Sequence, residues 1–236
     1  MASARVMWRR TRILGGIALA LALLILTAWL LAINWAPDRK AFPIQGIDIS
    51  EAQGGSGARI DWFQVRALNN IQFAYARATI GAKGRDRRFR RHWQGLYAAG
   101  IPRGAIHLFS LCQLAADQAA NLIAFVPHQT DQLPIALDLD FRPDCAARPE
   151  RHVVLGEINR FIIGVEAAMH KRVILRITPE FEARYRVSSA IARRLWAVRA
   201  FFPPDYFDKP WTMWQASSFR RVAGISAAVN WNVMVK

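Results

Sequence analysis

Short apolar segments alternate with amphipathic segments along the chain from Phe42 onward. Runs such as FPIQGIDIS and IQFAYARAT have the length and the β-branched and aromatic content of strands. Each is followed by a stretch with apolar residues near helical spacing, such as IDWFQVRALNN or DRRFRRHWQGLYAAG. The alternation continues through RGAIHLFS, LPIALDLDF and a long helix over residues 151–170 to a fifth strand, KRVILRIT. This order is typical of a parallel sheet with helices outside it.

The last part of the chain has a different pattern. SSAIARRLW follows the fifth strand as an amphipathic stretch, and LWAVRAFF, WTMWQAS and AAVNWNVMVK then have the pattern of strands. No convincing helix separates the last two. We therefore predict an α/β fold, a single barrel of eight strands that begins as β/α and finishes as β alone.

An uncharged apolar run of 21 residues, from Ile13 to Ile33, precedes this barrel. At 1.5 Å per residue the run can cross the hydrocarbon core of a bilayer. A cleavable signal peptide has a shorter apolar core, so we favour an uncleaved transmembrane helix. The basic segment MASARVMWRRTR should stay in the cytoplasm. We expect a single-pass protein of the inner membrane with its C-terminal domain in the periplasm or outside. The predicted domains are a basic stub and anchor, a linker and the barrel: residues 1–36, 37–44 and 45–236.

The barrel region is strongly basic. The formal charge of the chain is +15, and without the four arginines before the apolar run 28 basic groups oppose 17 acidic ones. Such a domain favours an anionic partner, and export makes nucleic acid the weakest candidate. Cys112 and Cys145 each follow a predicted strand at the same end of the domain. A disulfide and two buried thiols both fit this placement, whereas the spacing is wrong for zinc.

Several polar residues fall at the carboxyl ends of the predicted strands, where barrels bind their ligands. Asp138 and Asp140 lie two apart in LPIALDLDF and so share one side of the strand. Acids that converge with a tryptophan and amides suit glycoside hydrolysis, in which one carboxyl group protonates the leaving oxygen. The candidate site residues are Asp48, His107, Asp138, Asp140, Trp214, Gln215, Asn230 and Asn232.

Eight blocks of the sequence, in order, resemble the family 25 glycoside hydrolases, the N-acetylmuramidase type of lysozyme. They are QGIDISEAQG with IDW, FAYARATIG, DRRF, AAGIPRGAIHLF, AADQAANLI, LPIALDLD and WQASSFRRVAGISAAVNWN. The resemblance implies a (β/α)5β3 TIM-like barrel. It also implies cleavage of the β-1,4 bond between N-acetylmuramic acid and N-acetylglucosamine in peptidoglycan, without a metal or other cofactor, by a monomeric domain. Either inversion or participation of the substrate's acetamido group is compatible with it.

The resemblance also assigns roles. Asp48 matches the family's first-strand Asp, and Asp138 with Asp140 matches its Asp-x-Glu pair, with Asp140 in the place of the proton donor. We expect His107, Trp214, Gln215, Asn230 and Asn232 to bind the substrate. The sequence departs from the family at several positions. Aspartate is shorter than the usual glutamate at 140, Asn230 stands where Asp is usual, and aliphatic or small residues replace polar or aromatic ones at Ile80, Ile106, Ile177, Ala200 and Ala216.

These departures leave two further interpretations open. In one, catalysis has been lost and the barrel serves as a cell-wall-binding module. In the other, the domain is a structural part of an envelope complex. The retained acids favour a working hydrolase whose pocket is altered to accept a different glycan or a modified wall.

Overall fold

The computed structural model describes residues 2–57 and 59–235, which form two units with their boundary between Trp35 and Ala36. The first unit contains helix α1 (Ala2–Asn34). Its segment Arg12–Asn34, with 23 residues, is long and apolar enough to cross a membrane. Among the described side chains, the buried hydrophobic residues all lie between Ile47 and Val233, so the second unit has a complete core of its own.

The second unit contains strands and helices in the alternation that the sequence predicts. The strands are β1 (Ile44–Ile49), β2 (Phe73–Ile80), β3 (Gly84–Arg85), β4 (Arg103–Leu108), β5 (Ala136–Leu139), β6 (Ile174–Ile177), β7 (Arg194–Val198), β8 (Met213–Val222) and β9 (Ile225–Met234). The helices are α2 (Trp62–Asn69), α3 (Phe89–Ala98), α4 (Ala115–Phe125), α5 (Arg151–Met169), α6 (Pro179–Tyr185) and α7 (Val187–Ala190). A 3₁₀ helix, Glu51–Gly57, follows β1.

The sheet closes into a barrel. Its order is β1-β9-β8-β7-β6-β5-β4-β2, and β1 pairs with β2 to complete the ring, while the two-residue β3 extends β2 as a hairpin. β9 runs antiparallel to both its neighbours, and the other ring pairs are parallel. The predicted (β/α)5β3 barrel is confirmed. We call the end where the parallel strands finish the mouth and the end where they begin the lower face.

One difference from the sequence pattern concerns the segment after the fifth parallel strand. The helix here is α6, which begins at Pro179, earlier than the predicted amphipathic stretch at residues 188–196. Proline is well tolerated in the first turn of a helix, because the N–H that it lacks has no intrahelical partner there. The later residues form the short α7 and the start of β7.

The barrel interior is filled with large side chains. Phe73, Tyr75 and Trp196 belong to a buried cluster with Ile106 and other strand residues. A Cβ at Gly104 would lie 2.3 Å from the Tyr75 ring, which explains the glycine on the neighbouring strand. This packed layer lies directly below the mouth, beneath the polar residues at the strand ends.

Candidate active site

A small cavity of about 160 Å³ opens at the mouth of the barrel. It is lined by polar groups from five strands together with apolar residues of β1 and β4. The polar lining from the strands consists of Asp48, Arg77, Asp138, Arg176 and Asn230. The structure thus brings two of the three predicted acids to one cavity.

Asp48 is fixed by two amides of the antiparallel strand β9. Asn230 Nδ2 donates to Oδ1 at 2.7 Å, and Asn232 Nδ2 donates to Oδ2 at 2.9 Å. Asn232 is fully buried and in turn accepts a hydrogen bond from the Trp196 indole at 3.1 Å, so it supports Asp48 and does not fit the predicted contact with the substrate. The carboxylate is therefore held in one orientation by residues that continue into the packed interior, as a preorganised polar group requires.

Asp138 forms a buried ion pair with Arg176 on the neighbouring strand. The two residues are register partners, and Arg176 Nη1 donates to Asp138 Oδ1. The other terminal nitrogen of the guanidinium donates to Gln215 Oε1 on β8. Arg176 thus links three strands across the cavity, and its planar donor group suits two acceptors at once.

Burial dominates the electrostatics of this pair. It raises the pKa of the Asp138 carboxyl; Arg176 limits the rise, and the nearby Asp140 and Asp48 add to it. Burial also acts to lower the pKa of Arg176, but the surrounding carboxylates outweigh this effect and raise it. The guanidinium therefore stays charged, and Asp138 takes up a proton more readily than an exposed aspartate does.

Asp140 lies just beyond the end of β5 and is exposed. Its Oδ1 accepts hydrogen bonds from the Thr178 hydroxyl at 3.0 Å and from the N–H of Phe141 at 2.7 Å. A hollow of about 90 Å³ is lined by Asp138, Asp140 and Arg142 among others. Asp138 therefore lies between the two other acids, because it borders both the cavity of Asp48 and the hollow of Asp140.

Besides the buried Asn232, two residues predicted to contact the substrate lie away from the cavity, and the first is His107. It is fully buried on the outward side of β4, where it stacks on Phe161 of α5 with ring centroids 4.7 Å apart. Its ring nitrogens pair with Thr79 at 2.7 Å and Gln118 at 3.2 Å. The geometry does not fit the predicted role, since helices cover the imidazole.

Trp214 also points outward. It is 1% exposed, packs against Phe42 with centroids 5.6 Å apart and donates to the Arg199 carbonyl at 2.6 Å. Its neighbour Gln215 faces the interior instead. The prediction of a sugar platform at Trp214 therefore does not fit, whereas Gln215 lies beside Arg176 at the edge of the cavity.

Two residues that line the cavity, Arg176 and Arg77, were not identified by the sequence pattern alone. Arg77 lines the cavity and pairs with Asp86 at 2.9 Å and Glu51 at 3.4 Å. The sequence does contain a signal for Arg176, because an arginine inside the apolar run VILRIT needs a buried acid. Asp138 stands at the corresponding place in the preceding strand. Within the described residues, no cluster of His, Cys, Asp and Glu could hold a metal ion.

A disulfide joins the loops that follow β4 and β5 at the mouth. Cys112 and Cys145 are bonded, with Cα atoms 5.8 Å apart and a separation of 33 positions in the sequence. Phe109 and Phe141, which line the hollow beside Asp140, belong to the same two loops. The bond therefore ties together the segments that border one part of the site.

Comparisons with known proteins agree on one family. A family model described as glycosyl hydrolases family 25 matches residues 47–225. The Escherichia coli (strain K12) protein YegX is 30% identical over 199 residues, which cover 82% of this chain and 70% of that protein. Lysozyme M1 of Streptomyces globisporus is 30% identical over 203 residues, covering 80% and 67%.

Solved structures give the same result. A family 25 glycosyl hydrolase from Bacillus anthracis aligns with a TM-score of 0.77 at 28% identity, over 85% of this chain and 92% of that chain. A bacterial lysozyme from Streptomyces coelicolor aligns with a TM-score of 0.71 at 28% identity, over 81% and 91%.

Proposed function

The chain belongs to the family 25 glycosyl hydrolases, and on this premise we propose that it is a membrane-anchored muramidase. It hydrolyses the β-1,4 bond between N-acetylmuramic acid and N-acetylglucosamine in peptidoglycan. The observation that carries the proposal is that Asp48 and Asp138, from separate strands, line one cavity at the mouth of the barrel. The lysozymes among its relatives support the choice of peptidoglycan.

In this proposal Asp140 is the general acid. It is the exposed carboxyl group of the three, and its position at the strand end allows it to approach the oxygen of a glycosidic bond laid across the mouth. The Thr178 hydroxyl orients it. Protonation of the leaving oxygen is the step that a carboxylic acid supplies in glycoside hydrolysis.

Asp138 and Asp48 position the substrate and supply negative charge beside the reacting carbon. Above its raised pKa, Asp138 is a carboxylate whose Oδ1 is occupied by Arg176. Its second oxygen can then accept a hydrogen bond from the substrate. Asp48, held in place by the amides of Asn230 and Asn232, stabilises with its carboxylate the positive charge that develops on the sugar ring.

The test uses residues 36–236 with purified sacculi. We expect new reducing ends to appear with time, and Asp140→Asn to lower their rate by about a hundredfold or more while the unfolding midpoint stays unchanged. Ser218→Ala, an exposed change on β8, serves as the matched surface control. Equal activity in Asp140→Asn and the native domain would remove Asp140 from the mechanism.

A second candidate function is a wall-binding module without catalysis. It is favoured by the aspartate at 140, which is one methylene shorter than the glutamate that the family resemblance implies there. A displacement of about 1 Å can cost a hundredfold in rate. This candidate predicts that the domain sediments with sacculi, releases no fragments and is indifferent to Asp140→Asn.

The location that we propose is the inner membrane, with the barrel on the periplasmic or outer side. The helix Arg12–Asn34 has the length and hydropathy of a span, and the Cys112–Cys145 disulfide suits an oxidising compartment. Fractionation of cells that express the full chain tests this. Recovery in the membrane fraction at full length supports an anchor, and recovery of a shortened soluble chain identifies a cleaved signal sequence.

A further inference from the structure

A second concave site lies at the lower face of the barrel, at the opposite end from the acids. It is a groove of about 640 Å³ where β6, β7 and β8 begin. Val173 and Thr212, which each precede a strand, form part of its wall. Its charged lining is entirely basic and consists of Arg172, Arg193, Arg194 and Lys209. We call these four residues and the space between them the basic groove.

Most of the positive charge in the basic groove is available to a ligand. Arg193 is neutralised by Glu166, to which it donates at 2.6 and 2.8 Å. Within the described part of the chain, no ion pair joins the other three to a carboxylate. Arg172 donates to the Ala192 carbonyl at 2.7 Å, which fixes its guanidinium without cancelling its charge. Glu166 also attracts Arg172 without forming an ion pair with it, but four basic groups against this one acid leave a net positive charge around one space, which favours an anion.

Phosphate is the anion that this set of side chains fits. Arginine presents a planar fork of donors to phosphate oxygens, and lysine adds a mobile point charge. The basic groove has room for a phosphate together with the small alcohol or glycerol groups attached to it. The exposed Arg194 starts β7 on the interior side of the barrel, two residues before Trp196.

The path of the chain just before β1 indicates which kind of molecule carries that phosphate. The segment from Ala36 to Phe42 leads into β1 at the lower face, and the Phe42 ring stacks on Trp211 with centroids 6.2 Å apart. Trp211 stands between Pro210 and Thr212, which line the basic groove. The sequence that immediately precedes this segment is the apolar run proposed to cross the membrane. Headgroups are therefore the phosphate-bearing surface nearest to this end of the barrel.

We propose that the basic groove binds the headgroup phosphate of an anionic phospholipid. The proposal rests on the membrane location proposed above. Binding holds the lower face of the barrel against the membrane surface and turns the mouth, with Asp48 and Asp138, away from it towards the wall. The basic groove takes no part in hydrolysis.

The test is vesicle co-sedimentation of residues 36–236, which have their own complete core. Vesicles of pure phosphatidylcholine are compared with vesicles of equimolar phosphatidylcholine and phosphatidylglycerol. We expect binding to the anionic vesicles alone, weakened by salt. The triple variant R172Q/R194Q/K209Q should bind about a hundredfold more weakly, because each basic side chain near an anionic surface strengthens binding roughly fivefold.

The matched control is R59Q/R90Q/R91Q, which removes three exposed arginines, from the segment before α2 and the start of α3, that form no ion pair in the described part of the chain. Retention of most of the binding by this control supports the proposal. Equal losses in the two variants, or no binding by the native domain, would overturn it. A rise in the unfolding midpoint of the native domain, but not of the triple variant, with millimolar inorganic phosphate at constant ionic strength, together with no binding to anionic vesicles, would also overturn it, by assigning the basic groove to a free anion.

Hydrolysis of sacculi by the same preparations separates this proposal from the proposed function. The groove variant should keep the native rate. Lipid binding without hydrolysis would contradict the muramidase assignment alone, and hydrolysis without lipid binding would contradict the groove assignment alone.

Discussion

The buried ion pair at the mouth gives the sharpest prediction about stability. Arg176→Met keeps a long side chain and removes its charge and donors. Asp138 and Gln215 then lose their hydrogen bonds to the guanidinium, and a carboxylate that is 8% exposed loses its counter-charge. Breaking a buried pair from one side costs about 3–5 kcal/mol. For a domain of this size the unfolding midpoint should fall by roughly 10 °C near neutral pH.

The loss should depend on pH, with a defined sign. The carboxyl of Asp138 ionises in the unfolded chain near its ordinary pKa of 3.8, whereas burial raises its pKa in the folded protein. The protonated Asp138 carboxyl therefore contributes its full stabilisation below pH 3.8, and this stabilisation is lost as the pH rises through the pKa of the folded protein. Without Arg176 the folded pKa rises further, so the variant should lose more stability than the native protein over this range. At about pH 4 the two proteins should differ least.

Thermal unfolding of Arg176→Met between about pH 4 and pH 8 measures this effect. The double variant R176M/D138N serves as the control, because it replaces the buried carboxylate with a neutral amide. It should recover most of the lost stability at the upper end of the range and show a flatter pH dependence. An equal loss at both ends of the range, or no recovery in the double variant, would refute the electrostatic reasoning.

Three further predictions concern the acid, the buried histidine and the disulfide. Asp140→Glu lengthens the proposed acid and should raise the rate on sacculi by about tenfold or more, measured as new reducing ends; an unchanged rate would show that the native aspartate already reaches the bond. Burial lowers the pKa of His107 from its ordinary 6.5 to about 4, so native stability should decline by about 3 kcal/mol as the pH falls through this range. His107→Gln should make the free energy of unfolding, from denaturant titrations, less dependent on pH and should leave hydrolysis at neutral pH unchanged. A large loss of activity would show that residue 107 takes part in the candidate site. Replacing Cys112 and Cys145 by alanine should cost about 4 kcal/mol, or roughly 10 °C in the unfolding midpoint by calorimetry; a change under about 2 °C would contradict a constraint from this bond.

The barrel could be predicted because its pattern is local and repeated. Five alternations of strand and helix restrict the topology to parallel sheets, and the strands at the end of the chain follow one another without helices. That Asp48 and Asp138 line one cavity could be predicted because the carboxyl ends of parallel strands meet at one face, whatever the details of packing.

The side-chain direction in each strand could not be predicted in the same way. Strands of a barrel under helices are apolar on both faces, so the alternation does not show which face is inside. Ile106 and Met213 belong to the interior cluster, and their neighbours His107 and Trp214 therefore point outward. A polar residue on the outward face, such as His107, has its hydrogen bonds satisfied by a neighbouring strand and a helix, here through Thr79 and Gln118, and looks the same in the sequence as a ligand contact.

The sequence does not determine whether the two cysteines pair, for a related reason. Their loops follow β4 and β5, which the sequence places side by side, but bonding requires Cα atoms within a narrow distance. The course of each loop fixes that distance at 5.8 Å. Two loops of the same composition with another course would leave both thiols free.

Identification of the sugar at the new reducing end tests the central claim most directly. Sacculi digested by residues 36–236 are reduced with borohydride, and the products are separated and identified by mass spectrometry. The proposed muramidase predicts that the reduced sugar is muramitol and that Asp140→Asn gives only background. Glucosaminitol at the reduced ends, or no soluble product from the native domain, would contradict it.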